Sequence, residues 1–151
     1  MPGPMSPAPS LRPFILIAPN AFKGTLSALE AARAMRLGVL SILPQARTSL
    51  LPISDGGDGL MDALLSARGG KKIAVRVRGP FGEKRLGVYG LLDGETAVIE
   101  MAQASGMALV APGLLNPLKA TSYGTGQLIA AALARGVRTI IVGMGGSAAS
   151  D

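Results

Sequence analysis

The chain has 151 residues and contains no cysteine, histidine or tryptophan. Those absences exclude a disulfide framework, a Cys- or His-ligated zinc site, a catalytic thiol, an imidazole base and a Ser-His-Asp triad built from its own residues. A hydrophobic share of 48% against 16% charged favours a buried core over disorder, and 3% aromatics with a net charge of +6 describe a basic, aliphatic protein.

Residues 1–12 form a Pro/Ser/Ala/Gly tail with one charge, expected to be disordered. No basic stretch precedes Arg12 and no apolar run reaches the ~18 residues of a membrane span, so the expectation is a cytoplasmic protein without a membrane partner. Phe14-Ile15-Leu16-Ile17-Ala18 is a short continuous apolar run, which predicts a parallel strand covered on both faces. The loop that follows carries Lys23, either a solvated charge or a phosphate ligand at the carboxyl end of that strand. Ser27 and Glu30 have capping-box spacing at the start of a predicted helix over 27–43. Ala28, Ala31, Ala32, Met35, Val39 and Ile42 share one face of it, and Pro44 ends it.

A weak strand over 49–53 leads into Ser54-Asp55-Gly56-Gly57-Asp58-Gly59. Leu60, Ala63, Leu64 and Ala67 then repeat at helical spacing until Gly69-Gly70. To this point the rhythm is β-loop-α-β-loop-α, that of an α/β sheet. The period then changes. Residues 72–78 alternate, and the basic residues concentrated from Lys71 to Arg85 fit the solvated face of a half-buried strand. Segments 86–92 and 95–100 flank Asp93-Gly94, a type I′ hairpin signal. A helix is predicted over 127–135, closed by Gly136, and a buried strand over 139–142. The shift near residue 72 divides the chain into 13–71, the N-terminal part of a parallel-sheet, Rossmann-like α/β domain, and 72–151, the incomplete start of a second α/β domain with antiparallel strands. A strand and glycine-rich loop should open a helix, yet the chain stops at Asp151, so it reads as truncated.

Three constellations can carry chemistry. Gly143-Met144-Gly145-Gly146-Ser147 follows a buried strand and offers bare amides and a hydroxyl to an anion, although it is neither the dinucleotide nor the P-loop pattern; the alternative is a tight turn. Gly124-Thr125-Gly126 is a second anion nest, or a helix cap with Thr125 as the acceptor. Asp55 and Asp58 are carboxylates among glycines; Asp58 can cap the next helix, and either can take a proton from a hydroxyl or hold Mg²⁺ through water.

Five stretches, in order, resemble the glycerate kinase family. They are Ala18-Pro19-Asn20-Ala21-Phe22-Lys23-Gly24-Thr25-Leu26-Ser27-Ala28, Pro52-Ile53-Ser54-Asp55-Gly56-Gly57-Asp58-Gly59, Ile99-Glu100-Met101-Ala102-Gln103-Ala104-Ser105-Gly106, Ala120-Thr121-Ser122-Tyr123-Gly124-Thr125-Gly126-Gln127 and Gly143-Met144-Gly145-Gly146-Ser147. Asn20-Ala21 and Ala148-Ala149-Ser150-Asp151 depart from the usual Asp-Ser and Ala-Thr-Asn-Asp, and members are more than twice this length. The resemblance implies two α/β domains, the second inserted in the first, and phosphoryl transfer from ATP, with Mg²⁺, to a hydroxyl of D-glycerate. Lys23 would steady glycerate or the phosphoryl group. Asp55 and Asp58 would position the hydroxyl or Mg²⁺, and loop 143–147 would cradle an anion. Asp151 is a rival for the base. An N-terminal piece would be inactive alone. The other readings are a non-catalytic module that binds phosphorylated metabolites and, from net charge alone, a nucleic-acid protein. With no recognition motif and few aromatics, no nucleic-acid partner is expected.

Overall fold

The computed structural model describes residues 12–22 and 25–151. The expected disordered tail, apart from Arg12, and Lys23 lie outside the described residues. The chain order is β1 (Phe14–Ile17), α1 (Ala28–Ile42), β2 (Arg47–Leu50), α2 (Leu60–Arg68), β3 (Lys71–Arg78), β4 (Lys84–Leu91), β5 (Thr96–Glu100), α3 (Ala102–Ser105), a 3₁₀ turn at Met107–Leu109, α4 (Tyr123–Leu133) and β6 (Thr139–Gly143). Among the described residues no helix is long and apolar enough to cross a membrane.

There are two sheets. β1 and β2 pair in parallel, with Phe14 opposite Arg47 and Ile17 opposite Leu50. The second sheet has the order β3-β4-β5-β6. Its first two pairings are antiparallel and its last, β5 with β6, is parallel, so the chain between them crosses over through α3 and α4.

Period-two alternation explains the second sheet's two covered faces. On β5, Ala97 and Ile99 join Tyr89, Val77 and Leu128 in a core under α4. The intervening Val98 packs with Met61 of α2 and Leu92 on the opposite face. Thus α2, which precedes the expected boundary at residues 71/72, packs Met61, Leu64 and Leu65 on the second sheet. Lys72, Arg76 and Arg78 point to solvent from β3, as its alternation predicts.

The first sheet differs from expectation. Phe14 and Leu16 are 64% and 54% exposed, so β1 is covered on one face only. Helix α1 buries Ala28, Ala31 and Ala32 in its first turns but leaves Met35 and Ile42 of the predicted face exposed. The capping box itself is present: Glu30 N–H donates to Ser27 Oγ (3.2 Å) and Ser27 N–H donates to Glu30 Oε2 (2.8 Å).

The β4–β5 turn is also corrected. A type I′ turn needs two positive φ angles, and only Gly94 has one (φ 89°). Leu92 N–H donates to the Thr96 carbonyl (3.0 Å), which closes a three-residue loop. Asp93 accepts from the Glu95 and Thr96 amides at 3.0 and 2.7 Å and holds that loop from inside.

Candidate functional site

Two glycine-rich loops meet at the ends of β2 and β6. Gly145 N–H donates to the Gly56 carbonyl at 3.0 Å. A Cβ at Gly143 would lie 2.6 Å from that same carbonyl oxygen, and one at Gly145 would fall on Gly57 Cα. Glycine is therefore required here for backbone to lie on backbone, a use the bare sequence does not distinguish from an anion cradle. Ser147 is engaged locally: its Oγ donates to the Ala149 carbonyl and accepts from the Ala149 amide. Gly146, which lines the cleft, retains an N–H without an acceptor among the described residues.

That cleft has a volume of about 600 Å³, within the range of small-molecule sites. One wall is Asn20, Phe22 and Thr25, from the loop after β1; the other is Asp55, Asp58 and Gly146. Ligand sites at the carboxyl ends of parallel strands follow from the topology. Asp55 accepts from Gly57 N–H at 3.2 Å, a local turn that leaves its second oxygen without a donor among the described residues. Asp58 accepts no hydrogen bond among the described residues. A smaller chamber of about 400 Å³ adjoins the cleft and shares Asp58, Gly59, Asp62 and Ala108 with it. Lys72 there is paired with Asp62 at 2.6 Å.

The expected cap of α2 by Asp58 is not what the structure has. The N-cap position is Gly59 (φ 94°), which carries no side chain, and Met61 N–H instead donates to Glu100 Oε1 at 2.7 Å. Glu100 is only 2% exposed, and its second oxygen accepts from Gln103 Nε2 at 3.2 Å. The sequence places Glu100 in a recognisable stretch but gives no sign of this role, since the partner is 39 residues away.

Two other candidates sit elsewhere. Helix α4 begins at Tyr123, four residues before the predicted start, so Gly124, Thr125 and Gly126 form its first turn. Thr125 and Gly126 give their amides to the Ser122 carbonyl, and Thr125 Oγ1 is hydrogen-bonded to Ser105 Oγ at 3.0 Å in a buried pair. Thr125 is thus neither cap nor open nest. Gly124 is there because a side chain would strike the Arg78 carbonyl. Asp151 closes this helix end: it accepts from Ser122 N–H at 3.0 Å and from Thr121 Oγ1 at 2.9 Å. Those bonds, the Ser122 amide first, hold its carboxyl below the ordinary carboxylate range. Neither Asp151 nor residues 124–126 line the cleft that holds Asp55 and Asp58.

Among the described residues no group of three or more carboxylates gathers to hold a metal. The described cleft surface is nonetheless acidic, so an anion enters it favourably only together with a cation. Asp55 and Asp58 offer the hard carboxylate oxygens that could hold a Mg²⁺ ion through one or two ligands and water.

A profile described as the glycerate kinase family matches residues 15–151. A protein named glycerate kinase from Bacillus subtilis is 49% identical over 138 residues, covering 91% of this chain and 36% of that protein. A glycerate 2-kinase from Escherichia coli K12 is 46% identical over 138 residues, with the same coverage of 91% and 36%. A crystal structure of a glycerate kinase 2 candidate from Salmonella typhimurium LT2 superposes with a TM-score of 0.76 at 46% identity, covering 93% of this chain and 38% of that one. The chain therefore spans a little over a third of the length of the relatives it matches.

Proposed function

The chain belongs to the glycerate kinase family, and from that premise we propose that its cleft serves phosphoryl transfer from ATP to a hydroxyl of D-glycerate. The observation that carries the reading is the meeting of loops 54–59 and 143–147 in one cleft with Asp55 and Asp58. Phosphoryl transfer asks a protein for positioning and charge neutralisation more than for covalent chemistry. Carboxylates, a free amide and a lysine-bearing loop supply that.

In this reading Asp58 accepts the proton of the attacking hydroxyl as its oxygen bonds to the γ-phosphorus and the bond to the ADP oxygen breaks. That no donor among the described residues reaches it supports the assignment over Asp151, whose oxygens are committed to Thr121 and Ser122. Asp55, with one oxygen open, would hold Mg²⁺, which when bound neutralises phosphate charge. The Gly146 amide would face an anionic oxygen. Lys23 would complete the anion contacts. The reaction consumes ATP, so the proposed compartment is the cytoplasm. The chain alone would bind D-glycerate without turnover, because the relatives carry most of their length beyond the matched region.

The test is ADP release with D-glycerate and Mg·ATP, using this chain joined to the remaining portion of the Bacillus subtilis relative. Glycerate-dependent release is expected, falling about 10²- to 10⁴-fold in Asp58→Asn. Saturable binding without release would instead favour the non-catalytic anion-binding module.

A further inference from the structure

We propose that Glu100 is a positioning residue, a buried carboxylate that closes a ring of hydrogen bonds fixing loop 55–59 against loop 143–147. A carboxylate this deeply buried is rare without a charged partner. Among the described residues no Lys or Arg lies within ion-pair distance of it. Its partners are the Met61 amide and the Gln103 side chain. Met61 N–H belongs to the first turn of α2, where amides have no intrahelical acceptor. Gly59 has no side chain to satisfy it, so a carboxylate from the sheet performs the capping and meets the positive end of the helix.

The bonds then close on themselves. From Glu100 Oε1 the path runs to Met61 N–H at 2.7 Å and back along the chain to Gly56. The Gly56 carbonyl accepts from Gly145 N–H at 3.0 Å, and two residues earlier the Gly143 carbonyl accepts from Met101 N–H at 2.8 Å. Met101 follows Glu100. Asp58 lies inside the arc between Gly56 and Met61, and Asp55 adjoins it. One end of β5 therefore sets the placement of both cleft carboxylates, with its side chain on one loop and its backbone on the other. The consequence for catalysis rests on the functional reading above; the ring itself does not.

Hydrogen exchange measured by mass spectrometry on the 151-residue chain, without ligand, tests it. In Glu100→Ala, amides in 55–61 and 143–147 should exchange roughly 10- to 100-fold faster, while those of the β3–β4 hairpin stay unchanged. Glu100→Gln keeps an oxygen for the Met61 amide and should exchange like the parent. Should Glu100→Ala not fold, Glu100→Asp, which keeps the charge but withdraws the oxygen by one methylene, carries the same local acceleration. Acceleration spread evenly over all strands, no acceleration, or equal damage from Gln and Ala would overturn the proposal. Failure of the parent chain to bind D-glycerate in a parallel titration would remove the functional reading and leave the ring standing.

Discussion

The four-stranded sheet has α3 and α4 on one face and α2 over β4 and β5 on the other, whereas the β1–β2 pair has α1 on one face and exposes Phe14 and Leu16 on the other. The cleft lies on the seam between them. Its carboxylate wall belongs to the well-packed half through Glu100 and Gly145. Its wall of Asn20, Phe22 and Thr25 belongs to the lightly packed half. The contrast teaches that the site has one wall fixed by long-range bonds and one that depends on a short parallel pair and a capped helix.

Four substitutions sharpen the contrast. Leu128→Ala, at a position with no exposed surface, should cost about 3 kcal/mol in urea unfolding. Leu16→Ala in β1, 54% exposed, should stay within about 0.5 kcal/mol. Equal costs would mean the two halves are equally packed. Gly145→Ala should cost about 2 kcal/mol, because its Cβ meets the Gly57 backbone and the loops must part. The same substitution at the unencumbered Gly126 should be mild by comparison.

A further effect concerns the other wall. Ser27→Ala removes the α1 cap and should cost about 1 kcal/mol near neutral pH. The cap's hydrogen bonds, the Ser27 hydroxyl first, hold the Glu30 carboxyl below its ordinary value of 4.5. A lowered folded pKa means the unfolded chain binds the proton more tightly, so the stabilisation is present above pH 4.5 and is lost as pH falls through the folded value. Urea titrations across pH 2–6 should therefore show the parent losing more of its stability on acidification than Ser27→Ala. Parallel acid profiles would contradict the assignment.

Local signals were legible in the sequence and distant ones were not. The Ser27–Glu30 box, the glycine stop of α2 at Gly69 and the alternation of β3 each depend on neighbours a few residues apart, and each is present. The start of α4 was missed because Gly124 and Gly126 are poor helix formers. The close approach of the Arg78 carbonyl, unreadable in sequence, explains Gly124. In the same way Glu100 and Asp151 bind amides 39 and 29 residues away, so their roles emerge only from the fold. For the site, the sequence identified Asp55, Asp58 and loop 143–147 as candidates, and the structure brings them together. It also drew in residues 124–126 and Asp151, which the fold uses at the start of α4.

In the proposed function, loops 54–59 and 143–147, with Asn20, Phe22 and Thr25, form one binding cleft for an anionic hydroxy acid. Amide chemical-shift mapping during a D-glycerate titration of this chain, with Mg²⁺ present, tests it most directly. Saturable shifts with a single affinity are expected at Asn20, Thr25, Asp55, Asp58 and Gly146, with little change at Thr121 through Gly126. Shifts centred on the start of α4, or none at the cleft, would contradict it.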